Sequence, residues 1–597
     1  MTRLAARLAM ATILALAAAM AMPSTAGAAE RSSAAGKPGV VTYQTDLEVT
    51  KQYLLLPISN RGRGAAVSLT VDGREVRFLG ATLADAADQS DWWAFLHIAE
   101  YNGKTATLEV SGRGLTEETF KLIRQDNHVP GEEKWGTEPK RPQFHFSQKV
   151  GWNNDPNGLV YYDGEWHLFF QHNPVGIKWG NMTWGHAVSR DLVHWTQLPN
   201  ALHHKRGDGM WSGGAAVDWK NTGGWKTGEN DVLIATWTSI GRDDCVAYSN
   251  DRGRTFTEYE GNPVILHPGR DPKPRWYAYG KGDKPLNDAA AKLGGHWGVA
   301  VYHQKGGKGG PKGIGFYTST DLKDWTEQSL LPGYHECPEL IKLPVDGDPE
   351  NTRWVVFGGG ALYALGDFDG RTFTPAHEGN YQLHYGGYYA SQCFSDAPDD
   401  RCVQIGWATG LDFKGMPFNQ TFSFPTELTL RTTPDGVRMF GEPVKEIETV
   451  HGKAHKATNQ KLADGRSVKL DTEGALFDIR AQWQVGTAKQ IGLDIDGRKA
   501  FVYDVAEATI KDLVQAKPKD TACQPVDGRI SVQILIDRPM METFVNHGAM
   551  IFNHPYQNDL DIESVQAWAR GGEAKLETLE VYELNASWKR GANANNP

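Results

Sequence analysis

An aromatic-rich strand pattern returns five times in the middle of this chain, at residues 166–171, 232–237, 297–302, 354–357 and 403–407. A second pattern follows four of these runs: SRDLVHWT at 189–196, SNDRGRTFT at 249–257, STDLKDWT at 319–326 and GDFDGRTFT at 366–374. Each pairs an Asp-containing turn with an aromatic-Thr step, and the aspartates at 191, 251, 321 and 369 lie 60, 70 and 48 residues apart. Repeats of this size, each with room for several short strands, are the sequence signature of propeller blades. Five aromatic strands predict five blades. The competing reading is a tandem of unrelated hairpins, which the uneven period leaves open. With 66 Gly and 30 Pro the chain has the turns that such an architecture consumes.

Outside the repeat the pattern changes. Residues 40–127 alternate with period two, as at Val67, Leu69 and Val71 ahead of Asp72-Gly73, which predicts a small sandwich-like module. Its Trp92-Trp93 pair reads as core, or as packing against the propeller, in preference to a polymer platform. Pro130, Gly131 and Pro139 mark a boundary, and residues 128–440 hold the repeat. Residues 441–590 alternate without repeating, with Ile530, Val532, Ile534 and Ile536 ahead of Asp537-Arg538. The expected fold is therefore all-β: a five-bladed β-propeller with a C-terminal β-sandwich and an additional small N-terminal β-rich module.

Arg3 and Arg7 precede the apolar run 8–22, and Ala26-Gly27-Ala28 offers a small-residue cleavage site. Residues 1–28 thus read as a signal peptide and 29–39 as a linker. No twin-arginine pair is present, which favours the general secretory route. A secreted chain without a membrane anchor after cleavage is expected. Its net charge of −10, falling to −12 without Arg3 and Arg7, makes it a poor partner for nucleic acid phosphates. The five cysteines are too few and too odd for a disulfide scaffold. Cys393 and Cys402 flank a turn-rich stretch and are the two placed to pair across a hairpin. The lack of any Cys-x-x-Cys argues against a zinc ribbon.

Three acidic motifs carry the chemistry. Locally, Asp155-Pro156-Asn157-Gly158 has the residues of a β-turn, since Pro presets φ and Gly accepts positive φ. Its position just ahead of the first aromatic strand would place Asp155 at the inner end of a first blade, facing a central funnel. In Arg270-Asp271-Pro272, the neighbouring cation is expected to keep Asp271 ionised. In His335-Glu336-Cys337-Pro338, the apolar neighbours Tyr334 and Cys337 are expected to raise the pKa of Glu336 towards the value of a general acid. Each motif alone has an ordinary structural reading. Together they are three carboxylates from three blades, and two carboxyl groups flanking a bond are the recurring solution for glycoside cleavage.

Taken with Trp152-Asn153-Asn154 ahead of the first acid, these motifs resemble glycoside hydrolase family 32, the invertases, inulinases and levanases. The resemblance covers roughly residues 141–582, and secreted bacterial fructan β-fructosidases are its best match. It implies that Asp155 is the nucleophile, Glu336 the acid/base and Asp271 the transition-state stabiliser. It further implies that Trp152, Asn154, Gln171, Trp179, Trp211, Ser212, Arg270 and Trp407 line a fructose pocket. Asn153 stands where the family usually has an apolar residue, and Trp211 where Phe commonly precedes the serine. The implied activity is retaining hydrolysis of terminal fructose from levan or inulin, and of sucrose, through a covalent fructosyl-enzyme, with no metal or organic cofactor. The partner is then a fructan polysaccharide or oligosaccharide. Endo-levanase, levanbiose-releasing and fructosyltransferase activities share this chemistry, and a non-catalytic fructan-binding propeller is the reading from another class.

Overall fold

A computed structural model describes residues 39–304, 310–511, 520–556 and 561–588. The expected signal peptide at 1–28 lies outside the described residues, as does nearly all of the linker. Among the described residues no helix is long and apolar enough to cross a membrane. The structure is built from strands, with only short helices such as Glu117–Leu122 and Asp288–Leu293.

The N-terminal strands form one six-stranded sheet around the 19-residue strand Tyr53–Val71. Its first half pairs with Trp92–His97 and its second with Thr105–Arg113. The alternation seen in the sequence is core patterning, because Val67, Leu69, Val71, Leu108 and Val110 are all buried together. Trp92 belongs to that core, while Trp93 packs against it under the Arg124 guanidinium, 4.5 Å from the ring.

Four antiparallel meanders follow, with first strands Gly151–Tyr162, Met210–Asp218, Gly269–Ala278 and Glu339–Val345; the first three bear site residues, and the fourth follows directly on Glu336 and Cys337. The recurring aromatic runs are the second strands, Glu165–Asn173, Val232–Ser239, Gly295–Gln304 and Asp348–Phe357. They are aromatic because they are core. Trp237 and Trp297 are fully buried, and truncating such a ring costs about 3–5 kcal/mol. The Ser-x-Asp repeats turn the chain after the third strands. Asp191 accepts from the Val193 and His194 N–H groups, Asp251 from Thr255, and Asp321 from Lys323 and Asp324. These aspartates are turn formers, competing with water for backbone donors at fixed places.

The fifth aromatic strand, Val403–Ala408, lies with Tyr388–Cys393, Thr426–Thr433 and Gly436–Pro443. These strands do not form a separate sheet as the repeat predicts. Val345 pairs with Leu430 in parallel, joining them to the fourth meander in one ten-stranded sheet. Phe418–Asn419 then pairs in parallel with Gly151 and Trp152, tying the last sheet back to the first.

The C-terminal part forms a six-stranded sheet and six strands of a seven-stranded one, whose edge strand is His384–Gly386. The two sheets face each other across a core that includes Trp483, Ile491, Leu493, Ile530, Val532, Ile534 and Ile536. His145 ties it to the preceding sheets. Its ring meets Asp537 at 2.9 Å and Glu542 at 3.0 Å, and Asp537 also accepts from the N–H groups of Gln143, Phe144 and His145. All five cysteines are free, including Cys393 and Cys402, so the hairpin disulfide considered from the sequence is not formed.

Candidate active site

The site strands share a local irregularity. In Gly151–Tyr162, Asn153 pairs with His172 and Pro156 with Phe170, so Asn154 and Asp155 together oppose the single residue Gln171. Trp211 and Ser212 likewise oppose Thr238, since Met210 pairs with Ser239 and Gly213 with Trp237. Asp271 and Pro272 oppose Val301, and Ala390 and Ser391 oppose Gly406. Each is a two-for-one bulge, which bends the strand and re-aims its side chains. The expected Asp155–Gly158 turn is therefore a bulged strand. Its Pro and Gly are spent on strand irregularity rather than on reversing the chain, because Glu165–Asn173 supplies a partner along the whole run. Asp271 sits at φ +67, and in the fourth meander the same re-aiming is done by Glu336 and Cys337, at φ +51 and +42 just ahead of the first strand.

These irregularities bring three carboxyl groups to one centre. The Cys337 sulfur lies 3.8 Å from Asp155 Oδ2 and 3.7 Å from Asp271 Oδ2, and the Cys337 N–H donates to Asp271 Oδ2 at 3.0 Å. Ser212 donates to Asp155 Oδ2 at 2.6 Å. Glu336 is held by Arg270 on Oε1 and by the Tyr389 hydroxyl on Oε2 at 2.6 Å. Arg270 also lies 3.9 Å from Asp271, and its guanidinium lies over the Tyr302 ring at 4.9 Å.

Electrostatics correct two sequence expectations. Burial pushes the Asp271 carboxyl up to about 7, and the adjacent Arg270 and the Cys337 N–H only partly offset it. Arg270 therefore does not keep Asp271 ionised through the acid range. Glu336 behaves in the opposite way to that expected. Burial pushes it up, but the Tyr389 hydroxyl and the Arg270 guanidinium together hold it below its ordinary value. Its predicted neighbours do not shape it as supposed. Tyr334 turns away to donate to Asn380, and Cys337 points at the two aspartates. Asp155 is raised, by burial first and by the Glu336 charge, against the hydrogen bonds from Ser212 and Asn154.

The remaining expected residues surround this centre. Trp152 donates to Asn154 Oδ1 at 3.0 Å and lies edge-on to Trp407 at 6.2 Å. Trp407 is fixed by its indole N–H to Gln420. On another side Trp211 lies 5.8 Å from the Arg270 guanidinium and edge-on to Trp179 at 6.4 Å. Trp179 is 57% exposed. Gln171 is buried, and its amide donates to the Met210 carbonyl, so it braces the neighbouring sheet. The sequence reading missed Tyr389 and Tyr302. Tyr389 lies in a Gly-Gly-Tyr-Tyr run without an ionisable pattern, and only the fold brings it to Glu336. No group of three or more His, Cys, Asp or Glu among the described residues is arranged to hold a metal ion.

Comparison with known proteins gives a consistent picture. The sequence model for the Glycosyl hydrolases family 32 N-terminal domain matches residues 145–443, and that for the family 32 C-terminal domain matches 446–583. A levanase of Bacillus subtilis (strain 168) is 34% identical over 503 residues, covering 76% of this chain and 71% of that protein. An extracellular exo-inulinase of Aspergillus ficuum is 28% identical over 76% of this chain and 96% of its own length. Among solved structures, the exo-inulinase of Aspergillus awamori superposes with a TM-score of 0.66 at 26% identity, over 76% of this chain and 99% of that one.

Proposed function

The chain belongs to glycosyl hydrolase family 32 and is a glycoside hydrolase, and we propose that it releases terminal fructose from β-fructans and from sucrose with retention of configuration. The observation that carries this is the convergence of Asp155, Asp271 and Glu336 around Cys337, with Arg270 and Ser212 holding two of them. The names of its relatives, levanase and extracellular exo-inulinase, support a fructan substrate and a secreted chain with a leader at 1–28. The proposed division into modules at 40–127, 128–440 and 441–590 is supported by the separate six-stranded N-terminal sheet and by the family-model ranges 145–443 and 446–583.

In the proposed reaction Asp155 attacks the anomeric carbon of the fructosyl unit. The bond to the departing oxygen breaks, and Glu336 gives that oxygen its proton. Glu336 then takes a proton from the water that attacks the fructosyl–Asp155 ester, which frees fructose and restores both carboxyls. Because Arg270 and Tyr389 favour the Glu336 carboxylate in the free site, the substrate has to displace or share these donors for the acid step. Asp271, with its raised pKa, becomes a better acceptor once sugar hydroxyls replace the missing stabilisation of its charge, and these hydrogen bonds tighten as the ring turns cationic. Trp152, Trp407, Trp211 and Trp179 provide apolar faces for the sugar.

The test is product analysis with levan, inulin and sucrose side by side. Fructose as the first product from all three is expected. Difructose or longer products from levan would replace the exo reading by an endo- or levanbiose-releasing one, and kestose-type products from sucrose would indicate transfer.

A further inference from the structure

The family models begin at residue 145, yet the N-terminal sheet reaches the site. The link is the loop between Glu165–Asn173 and Thr183–Ser189, which carries Trp179. Val175 is buried within the core of the N-terminal sheet, and Ile177 packs against that core. Further along, Asn181 grips the backbone of Gly80. Its side-chain oxygen accepts from the Gly80 N–H at 2.7 Å, and its amide donates to the Gly80 carbonyl at 2.8 Å. The same amide donates to Asn173 Oδ1 at 3.0 Å, and Asn173 in turn donates to the Lys178 carbonyl at 2.8 Å. A last tether comes from the far side of the pocket. Asn419 donates to the Ile177 carbonyl at 3.1 Å and accepts from the N–H of Gln420, the residue that fixes Trp407.

Among the described residues, none restrains the Trp179 side chain comparably. It is the most exposed aromatic of the site and touches Trp211 only edge-on. An exposed ring makes a useful sugar platform only if its backbone is held, since ordering a loop on binding costs affinity. We infer that the N-terminal sheet is a working part of the active centre: through the Asn181–Gly80 clamp and the insertion of Val175 it holds Trp179 in place for a fructose-terminated oligosaccharide, and Asn181 is a positioning residue. This rests on the reading of Trp179 as a sugar-contacting residue.

Five variants test it, with fructose release from inulin-type oligosaccharides as the assay and melting temperature as the fold control. Asn181 sits at φ +46, so Asn181→Gly removes the clamp while keeping a backbone that glycine adopts freely. It is expected to raise KM about threefold to fivefold with kcat within about twofold, the loss of partly solvent-exposed hydrogen bonds being modest. Asn181→Asp, which keeps the acceptor but sets a carboxylate oxygen against the Gly80 carbonyl and Asn173 Oδ1, moves KM the same way by at least as much. Trp179→Ala raises KM by about tenfold. Adding Asn181→Gly to Trp179→Ala changes nothing more, because the clamp acts through the ring. Arg206→Ala, which cuts the Glu75–Arg206 pair at the same interface, leaves KM as it was. Wild-type KM in Asn181→Gly beside a raised KM in Trp179→Ala would overturn the positioning role, as would multiplication of the two effects in the double variant. A silent Trp179→Ala would instead remove the sugar-contact reading, and the inference with it.

Discussion

Three carboxyl groups crowd a partly dehydrated centre, and like charges at close range cannot all remain ionised cheaply. The free site distributes the strain unequally: Asp155 and Asp271 are raised while Glu336 is lowered by its two donors. Asp155→Asn keeps the shape and an acceptor for Ser212 but removes the proposed nucleophile, and about a thousandfold or greater loss in kcat is expected while sugar binding persists. Tyr389→Phe deletes a hydrogen bond that stabilises the Glu336 carboxylate. Without it the Glu336 pKa rises, its protonated form survives to higher pH, and the alkaline limb of the kcat/KM profile moves up. A limb that stays put or moves down in a pH–rate series would separate Tyr389 from the acid. The acids themselves were legible in the sequence through their Asp-Pro and Glu-Cys-Pro settings. Their protonation was not, because it depends on Tyr389, 53 residues from Glu336, and on burial that only the assembled sheets create.

Among the strands, the bulges are what turn ordinary sheet edges into a site. Asp-Pro-Asn-Gly has the chemistry of a turn, and local rules read it as one. A full-length partner strand overrides that preference, and the positive φ of Gly158, +52, is absorbed within the sheet. A Cβ at Gly158 would lie 2.9 Å from both the Phe169 and Trp184 rings. Gly158→Ala is therefore expected to cost about 1–3 kcal/mol, from the left-handed backbone and the overpacking together. It should also lower kcat by shifting the Asp155 bulge, and thermal melting with an activity assay reads both. The aromatic second strands and the Ser-x-Asp turns were, by contrast, read correctly as repeated elements, because burial and backbone-donor capture are local needs that recur in each meander.

Over the whole molecule, the sequence repeat announced the all-β architecture but not how the last sheet would join the fourth, since the Val345–Leu430 pairing leaves no signature in either strand. Nor did it announce the lock between the sheets and the C-terminal sandwich. Burial disfavours the charged form of His145, yet Asp537 and Glu542 on its two nitrogens raise its pKa to about 9. A raised folded pKa contributes stability that is complete below about pH 6.5 and is lost as pH climbs through about 9, by an amount on the order of a few kcal/mol. Melting temperature should fall across that window in the wild type, and His145→Gln should be less stable at pH 6 and largely lose this slope. The claim on which everything turns is that strands from separate sheets deliver Asp155, and not Asp271, to the anomeric carbon. Glu336→Ala, given a fructosyl donor whose leaving group needs no protonation, should accumulate the covalent intermediate because the base for its hydrolysis is gone. Quenching, digestion and mass spectrometry should then find a fructosyl ester on the peptide containing Asp155. An ester on Asp271, or turnover without any trapped ester, would contradict it.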